Sequence, residues 1–204
     1  MKKIFIGVFL LLLSCSKSEF DNKTKDKYSD FTFFEGVSTN FIEHSGLNRE
    51  YLLYIPPNID NRENLPVIFN FHGYQGQAEQ FFNQTDLVEI ADNNGVVLVY
   101  PQGSDLPVGA SHWNAAPSSS SSTSFVNKSS TDDIGFFKAL LDEINQNNII
   151  NLNRVYVIGY SNGGMFSHFL ACNTENILLL LEMLQEQCSM KHLIAVIHLH
   201  LFQY

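Results

Sequence analysis

The chain has 204 residues, 45% of them apolar and only 16% charged, a balance that can bury a core and excludes a disordered chain. One domain is the expected count, although an α/β enzyme domain commonly needs more chain than this. Twelve Lys and Arg against 21 Asp and Glu give a net charge of −9, which disfavours nucleic acid, because Lys and Arg are what displace phosphate counterions. Neutral or weakly charged substrates fit better.

Residues 1–14 carry Lys2 and Lys3, an apolar run from Ile4 to Leu13, and Ser14. The run is too short to span a bilayer, and with its basic start it predicts a signal peptide and an exported protein. Leu12-Leu13-Ser14-Cys15 resembles the bacterial lipobox, which implies acylation of Cys15 and a membrane anchor. Residues 15–30, polar throughout most of their length, then read as a tether to a domain that begins at residue 31. With Cys15 so used, Cys172 and Cys188 remain as a possible pair in an oxidising compartment.

The domain alternates strand and helix. Arg49–Ile55 (REYLLYI) predicts a strand stopped by Pro56-Pro57. Pro66–Phe71 (PVIFNF) predicts a strand buried on both faces, ending at His72-Gly73. Phe81–Asn94 is weakly helical and closed by Gly95; Val96–Tyr100 (VVLVY) is a third buried strand. Residues 101–131 form a long loop with a serine run, Ser118–Ser122, and the chain's one Trp, Trp113, which could be a lid contact or a packing anchor. Asp132 and Asp133 open a helix in which Ile134, Phe137, Leu140, Leu141 and Ile144 follow a 3.6-residue period, and capping is the simplest role for the acid pair. Arg154–Ile158 is the next buried strand. The alternation predicts an α/β fold with a mostly parallel sheet flanked by helices.

That last strand runs into Gly159-Tyr160-Ser161-Asn162-Gly163-Gly164, with a helical segment after it. Gly-x-Ser-x-Gly between strand and helix is the nucleophile-elbow pattern: a strained turn holds the Ser hydroxyl out, while Gly159 and Gly163 let neighbouring chain pass without a Cβ clash. The N–H of Asn162, at the start of the helix, and that of Tyr74, in the His72-Gly73-Tyr74 loop, are candidate oxyanion donors. His72 precedes the Ser in sequence, which is the wrong order for this fold's triad, so it is expected to orient the loop.

YLLYIPP, PVIFNFHGYQG, VVLVYPQG, the HW and DDIGF elements and RVYVIGYSNGGM together resemble the secreted polyhydroxybutyrate-depolymerase and feruloyl-esterase branch of the α/β-hydrolases, from Arg49 to Cys172. The resemblance implies hydrolysis of plant-polysaccharide or polyester esters through an acyl-enzyme on Ser161, with neither metal nor organic cofactor.

The family pattern requires a further strand, then an Asp, then a His. Residues 173–204 contain no Asp, and Ile177–Gln187 (ILLLLEMLQEQ) reads as a helix of strong formers. His168 lies on the nucleophile's own helix and faces away; His192, His198 and His200 have the right order but no framework. One permitted coding of Ile177–Cys188, read two bases out of phase, gives IAAIGNVAGTM, which resembles the family's next strand at the family's distance from Ser161. The expectation is therefore that 31–172 is the front part of a hydrolase domain and 173–204 an out-of-frame tail. The alternative to an esterase is then a catalytically dead remnant or a non-enzymatic surface lipoprotein.

Overall fold

The computed structural model describes residues 35–57, 64–115, 129–174 and, as backbone, 177–183. The expected signal peptide, Cys15, the tether, the serine run, Cys188 and the histidines of the tail lie outside them. Among the described residues no helix is long and apolar enough to cross a membrane.

Six strands form one sheet in the order β1-β2-β4-β3-β7-β8. β1 (Gly36–His44) and β2 (Leu47–Ile55) make an antiparallel hairpin, and β2 pairs antiparallel with β4 (Val97–Pro101). β4, β3 (Leu65–Phe71), β7 (Ile150–Gly159) and β8 (Ile177–Met183) are mutually parallel. A separate pair, β5 (Ser104–Asp105) and β6 (Ser111–His112), tops the loop after β4. The mostly parallel α/β sheet is thus as anticipated. The edge hairpin is an addition: its turn is Ser45-Gly46 with φ of 51° and 76°, the two positive angles that match the twist of a tight hairpin. β1 was not foreseen because it alternates half-buried and exposed positions and has no continuous apolar run.

Helices cover both faces. On one, α1 (Ala78–Thr85) and α2 (Val88–Asn94) pack Ala78, Phe81, Leu87 and Ala91 against Leu52, Ile68, Leu98, Tyr100, Tyr156 and Ile158. The single helix expected over 81–94 is two, broken where Asp86 turns left-handed at φ 50°; Gly95 closes the second at φ 63°, as its type predicts. On the other face lie α3 (Asp133–Ile144) and α4 (Asn162–Asn173), whose Phe137 and Phe166 meet Phe69 and Phe71 edge-on at 4.9 and 5.0 Å between centroids. A 3-10 turn, Asn145–Asn147, joins α3 to β7. α3 buries Phe136, Phe137, Leu140 and Ile144, while Ile134 and Leu141 sit half-buried on its flank.

The tail expectation needs correction. Ile177–Met183 is a strand, parallel to β7, and not the start of a helix. Helix propensity is a weak prior, and the free edge of β7 pairs with the run, in a register that shifts between Val157 and Gly159. A strand therefore follows α4 where the fold requires one. The residues after Met183 lie outside the described set.

Candidate active site

β3 and β7 end side by side, so the segments leaving them meet. β7 turns sharply at Ser161, with φ 49° and ψ −114°, a combination outside the regions open to L-residues, and α4 starts at Asn162. Both elbow glycines are required by contact rather than by torsion. A Cβ on Gly159 would strike the Gly163 carbonyl, and one on Gly163 would strike the carbonyl oxygens of Phe71 and His72. A Cβ on Gly73 would lie 2.8 Å from the Tyr160 ring. Ser161, Asn162, His72, Gly73, Gly159 and Gly163 are thereby brought together at the carboxyl ends of two parallel strands, the end at which open α/β sheets place their ligands.

Ser161 is exposed, and no described side chain hydrogen-bonds its hydroxyl. The described histidines all have other partners. His44 pairs with Asp132 at 3.2 Å; His112 contacts Ser104 O at 3.1 Å and Asn114 Oδ1 at 3.0 Å; exposed His168 approaches Cys172 Sγ at 3.8 Å. The His72 ring is bonded to the backbone on both sides. Its Nδ1 donates to Gly73 O at 2.8 Å, and its Nε2 accepts from Gly103 N at 2.9 Å, which fixes the tautomer. Burial pushes its pKa down from 6.5 to about 4, so the ring is neutral.

Asn162, buried at 8% exposure, has the N–H of a helix's first residue, which lacks an intrahelical acceptor. Tyr74 stands at the loop's tip, 39% exposed; after it the chain turns through Gln75 at φ 62°, and Gly76 N donates back to Gly73 O at 3.0 Å.

Trp113 is the packing anchor of its two possible roles. Fully buried, it stacks on Phe166 with centroids 5.2 Å apart and meets Phe71 edge-on at 5.1 Å. Its indole N–H donates to His72 O at 3.0 Å. Its own backbone is gripped by Asn162: Trp113 N donates to Asn162 Oδ1 at 2.8 Å, and Asn162 Nδ2 donates to Trp113 O at 2.9 Å.

Beneath this lies a buried ion pair. Arg49 Nη2 donates to Asp133 Oδ1 at 3.0 Å and to Gln102 O at 3.2 Å, and Asp133 Oδ2 accepts from Asn114 N at 2.8 Å. The guanidinium lies 3.9 Å from the Phe136 centroid. Burial raises the Asp133 carboxyl above the usual carboxylate range, opposed by Arg49 and the Asn114 N–H. The acid pair read as capping residues therefore divides: Asp132 caps α3 by accepting from Gly135 N at 2.9 Å, whereas Asp133 anchors the loop. Gln102 was missed altogether. It links Ala78 N, at 2.8 Å, to the His72 ring, at 3.2 Å, and a lone Gln after a strand carries no signal of such a role.

On the far side of the Gly73–Gly76 turn is an open polar cleft of about 370 Å³, with Glu50, Gln75, Gln77, Glu79 and Asp105 among its walls. Among the described residues no group of three or more His, Cys, Asp or Glu could hold a metal.

The sequence profile of the family described as Esterase PHB depolymerase matches residues 49–184, two thirds of the chain. The chain belongs to this esterase family. The match reaches past Cys172 and takes in β8. Feruloyl esterase B of Piromyces equi is 23% identical over 130 residues, 64% of this chain and 22% of that protein. A bifunctional acetylxylan esterase/xylanase of Neocallimastix patriciarum is 26% identical over 129 residues, 63% of this chain and 16% of that one. The chain thus spans less than a quarter of either relative. Among solved structures, a poly(3-hydroxybutyrate) depolymerase of Bordetella parapertussis superposes with a TM-score of 0.53 at 18% identity, over 69% of this chain and 48% of that one, which shows a shared α/β-hydrolase fold.

Proposed function

We propose that the chain hydrolyses carboxylic esters through an acyl-enzyme on Ser161. The hydroxyl oxygen attacks the ester carbonyl and passes its proton to a base; the backbone N–H groups of Asn162 and Tyr74 receive the oxyanion; the alcohol leaves and water releases the acid. The observation that carries this reading is the Ser161 turn, held at φ 49° by two glycine contacts and pointing into solvent beside the His72–Tyr74 loop. Strain of this kind concentrates where it serves chemistry.

The test is p-nitrophenyl acetate turnover by the 204-residue chain and by Ser161→Ala. Because no described histidine serves Ser161, the expected rate is slow, far below that of a complete triad, and it falls to background in Ser161→Ala. Turnover unaffected by the substitution overturns the reading. Fast turnover that the substitution abolishes shows that a histidine of 184–204 supplies the base, and it refutes an out-of-frame tail. We further propose export with acylation at Cys15, for which loss of radiolabelled palmitate in Cys15→Ser is the check.

A further inference from the structure

We propose that Asn162 and Trp113 act together as the clamp that positions the oxyanion hole, with Trp113 the post between its two halves. This rests on the reading of Ser161 and the two backbone donors given above. The post is tied to the elbow by two hydrogen bonds from the Asn162 side chain, at 2.8 and 2.9 Å, and to the loop by the indole N–H on His72 O, at 3.0 Å. Asn162 is thus both a donor, through its main chain, and a positioning residue, through its carboxamide. All the groups in this chain of contacts are buried: Asn162 at 8%, Trp113 at 0% and His72 at 1% exposure. An unmade bond here costs the full desolvation of its group, which makes the arrangement discrete rather than elastic.

The geometry excludes simpler assignments. The carboxamide is spent on the Trp113 backbone, so it cannot also reach substrate. A capping role is excluded as well, because the N-cap of α4 is Ser161 and makes no side-chain cap bond. An Asn in this place is demanded by the pairing itself: one acceptor and one donor, aligned with one N–H and one C=O of the same residue, reproduce the bonding of a β-bridge. Asp would keep the first bond and oppose the second.

Trp113 is the chain's one tryptophan, so its fluorescence reports the joint directly. The probe is phenylboronic acid: the Ser161 oxygen bonds to boron, the hydroxyl proton passes to solvent, and boron becomes a tetrahedral anion that needs the oxyanion donors. In the full chain, Trp113 quenching gives its affinity and the boron chemical shift gives its geometry. Asn162→Ala is expected to weaken binding about tenfold, the equivalent of about 1.4 kcal/mol, in protein that still melts cooperatively. Trp113→Phe, followed by the boron signal, loses the His72 bond and is expected to weaken binding several-fold. The double variant should be no weaker than the worse single, because both act through one post.

A purely structural role would lower the melting temperature and leave the affinity of folded protein unchanged, and that result overturns the clamp. Losses that multiply in the double variant also overturn it. If Asn162→Ala does not fold, Asn162→Asp carries the test, with a loss of at least threefold expected and unchanged affinity refuting the proposal. Failure of the unsubstituted chain to form a tetrahedral adduct at Ser161 would instead refute the esterase reading, and the clamp with it.

Discussion

His72 makes the fold acid-labile in a defined window. Its folded pKa is depressed from 6.5 to about 4, chiefly by burial, so between those values the unfolded chain binds a proton that the folded chain refuses. Stability therefore rises with pH across the window: it is fully present above about 6.5 and is lost progressively as pH falls toward about 4. The span is about 2.5 pH units, which at about 1.4 kcal/mol per unit gives about 3.5 kcal/mol from this one ring. Such a sum is a large fraction of a domain's net stability, about 5–15 kcal/mol. Protonation also has a specific target, because Nε2 must then surrender the Gly103 N–H and both loop attachments loosen. The assay is urea unfolding at half-unit steps from pH 7.5 to 4.5 for the unsubstituted chain and for His72→Gln. The variant is expected to be less stable at pH 7 but to show a flatter dependence on pH. Equal slopes for the two proteins, or a folded-state His72 imidazole titrating near 6.5 by NMR, would refute the assignment.

Three further outcomes follow from the packing. Gly163→Ala forces a Cβ onto the carbonyls of Phe71 and His72, both backbone atoms that cannot swing away, and is expected to cost about 3 kcal/mol or more, seen as loss of the cooperative melt. Arg49→Met strands the Asp133 carboxylate and is expected to cost about 3–5 kcal/mol, whereas the double change Arg49→Met with Asp133→Leu recovers most of it; additive costs in that cycle would deny the pairing. Ser161→Gly relieves the positive φ and is expected to stabilise by about 1 kcal/mol relative to Ser161→Ala in differential scanning calorimetry.

The sheet was legible where burial is two-sided. PVIFNF, VVLVY and RVYVI are continuous apolar runs because helices lie on both faces; the first and third fall inside the strands they predict, and the second begins one residue before its strand, at Val96. β1 was illegible because an edge strand faces water on alternate residues. Ile177–Met183 was misread for the opposite reason: Leu favours a helix locally, and only the open edge of β7 decides otherwise. At the site, the close contact at Gly159 is with Gly163 in the same turn and so is legible in the motif, whereas the contact at Gly163 is with the Phe71 and His72 carbonyls of the neighbouring strand end, which the motif does not encode. The parts played by Arg49, Gln102 and Asp133 depend on contacts across 53 and 84 residues of sequence, and nothing in the local pattern encodes such pairs.

The buried polar groups around the elbow have one common cause. Where β3 stops, its ladder stops, and the last carbonyls are left in a dry place with no strand to satisfy them. Each is met individually: Phe71 O takes the Tyr160 N–H at 3.0 Å, His72 O the Trp113 indole, and Gly73 O the Gly76 N–H together with the His72 ring. Carbonyl oxygens consumed inside the protein do not oppose an anion outside it. The same bonds that satisfy the strand end also remove competing negative charge from the position beside Ser161, which an oxyanion would need left to N–H groups alone. On this account Trp113, His72 and Gly76 are required by the sheet before they are required by the chemistry.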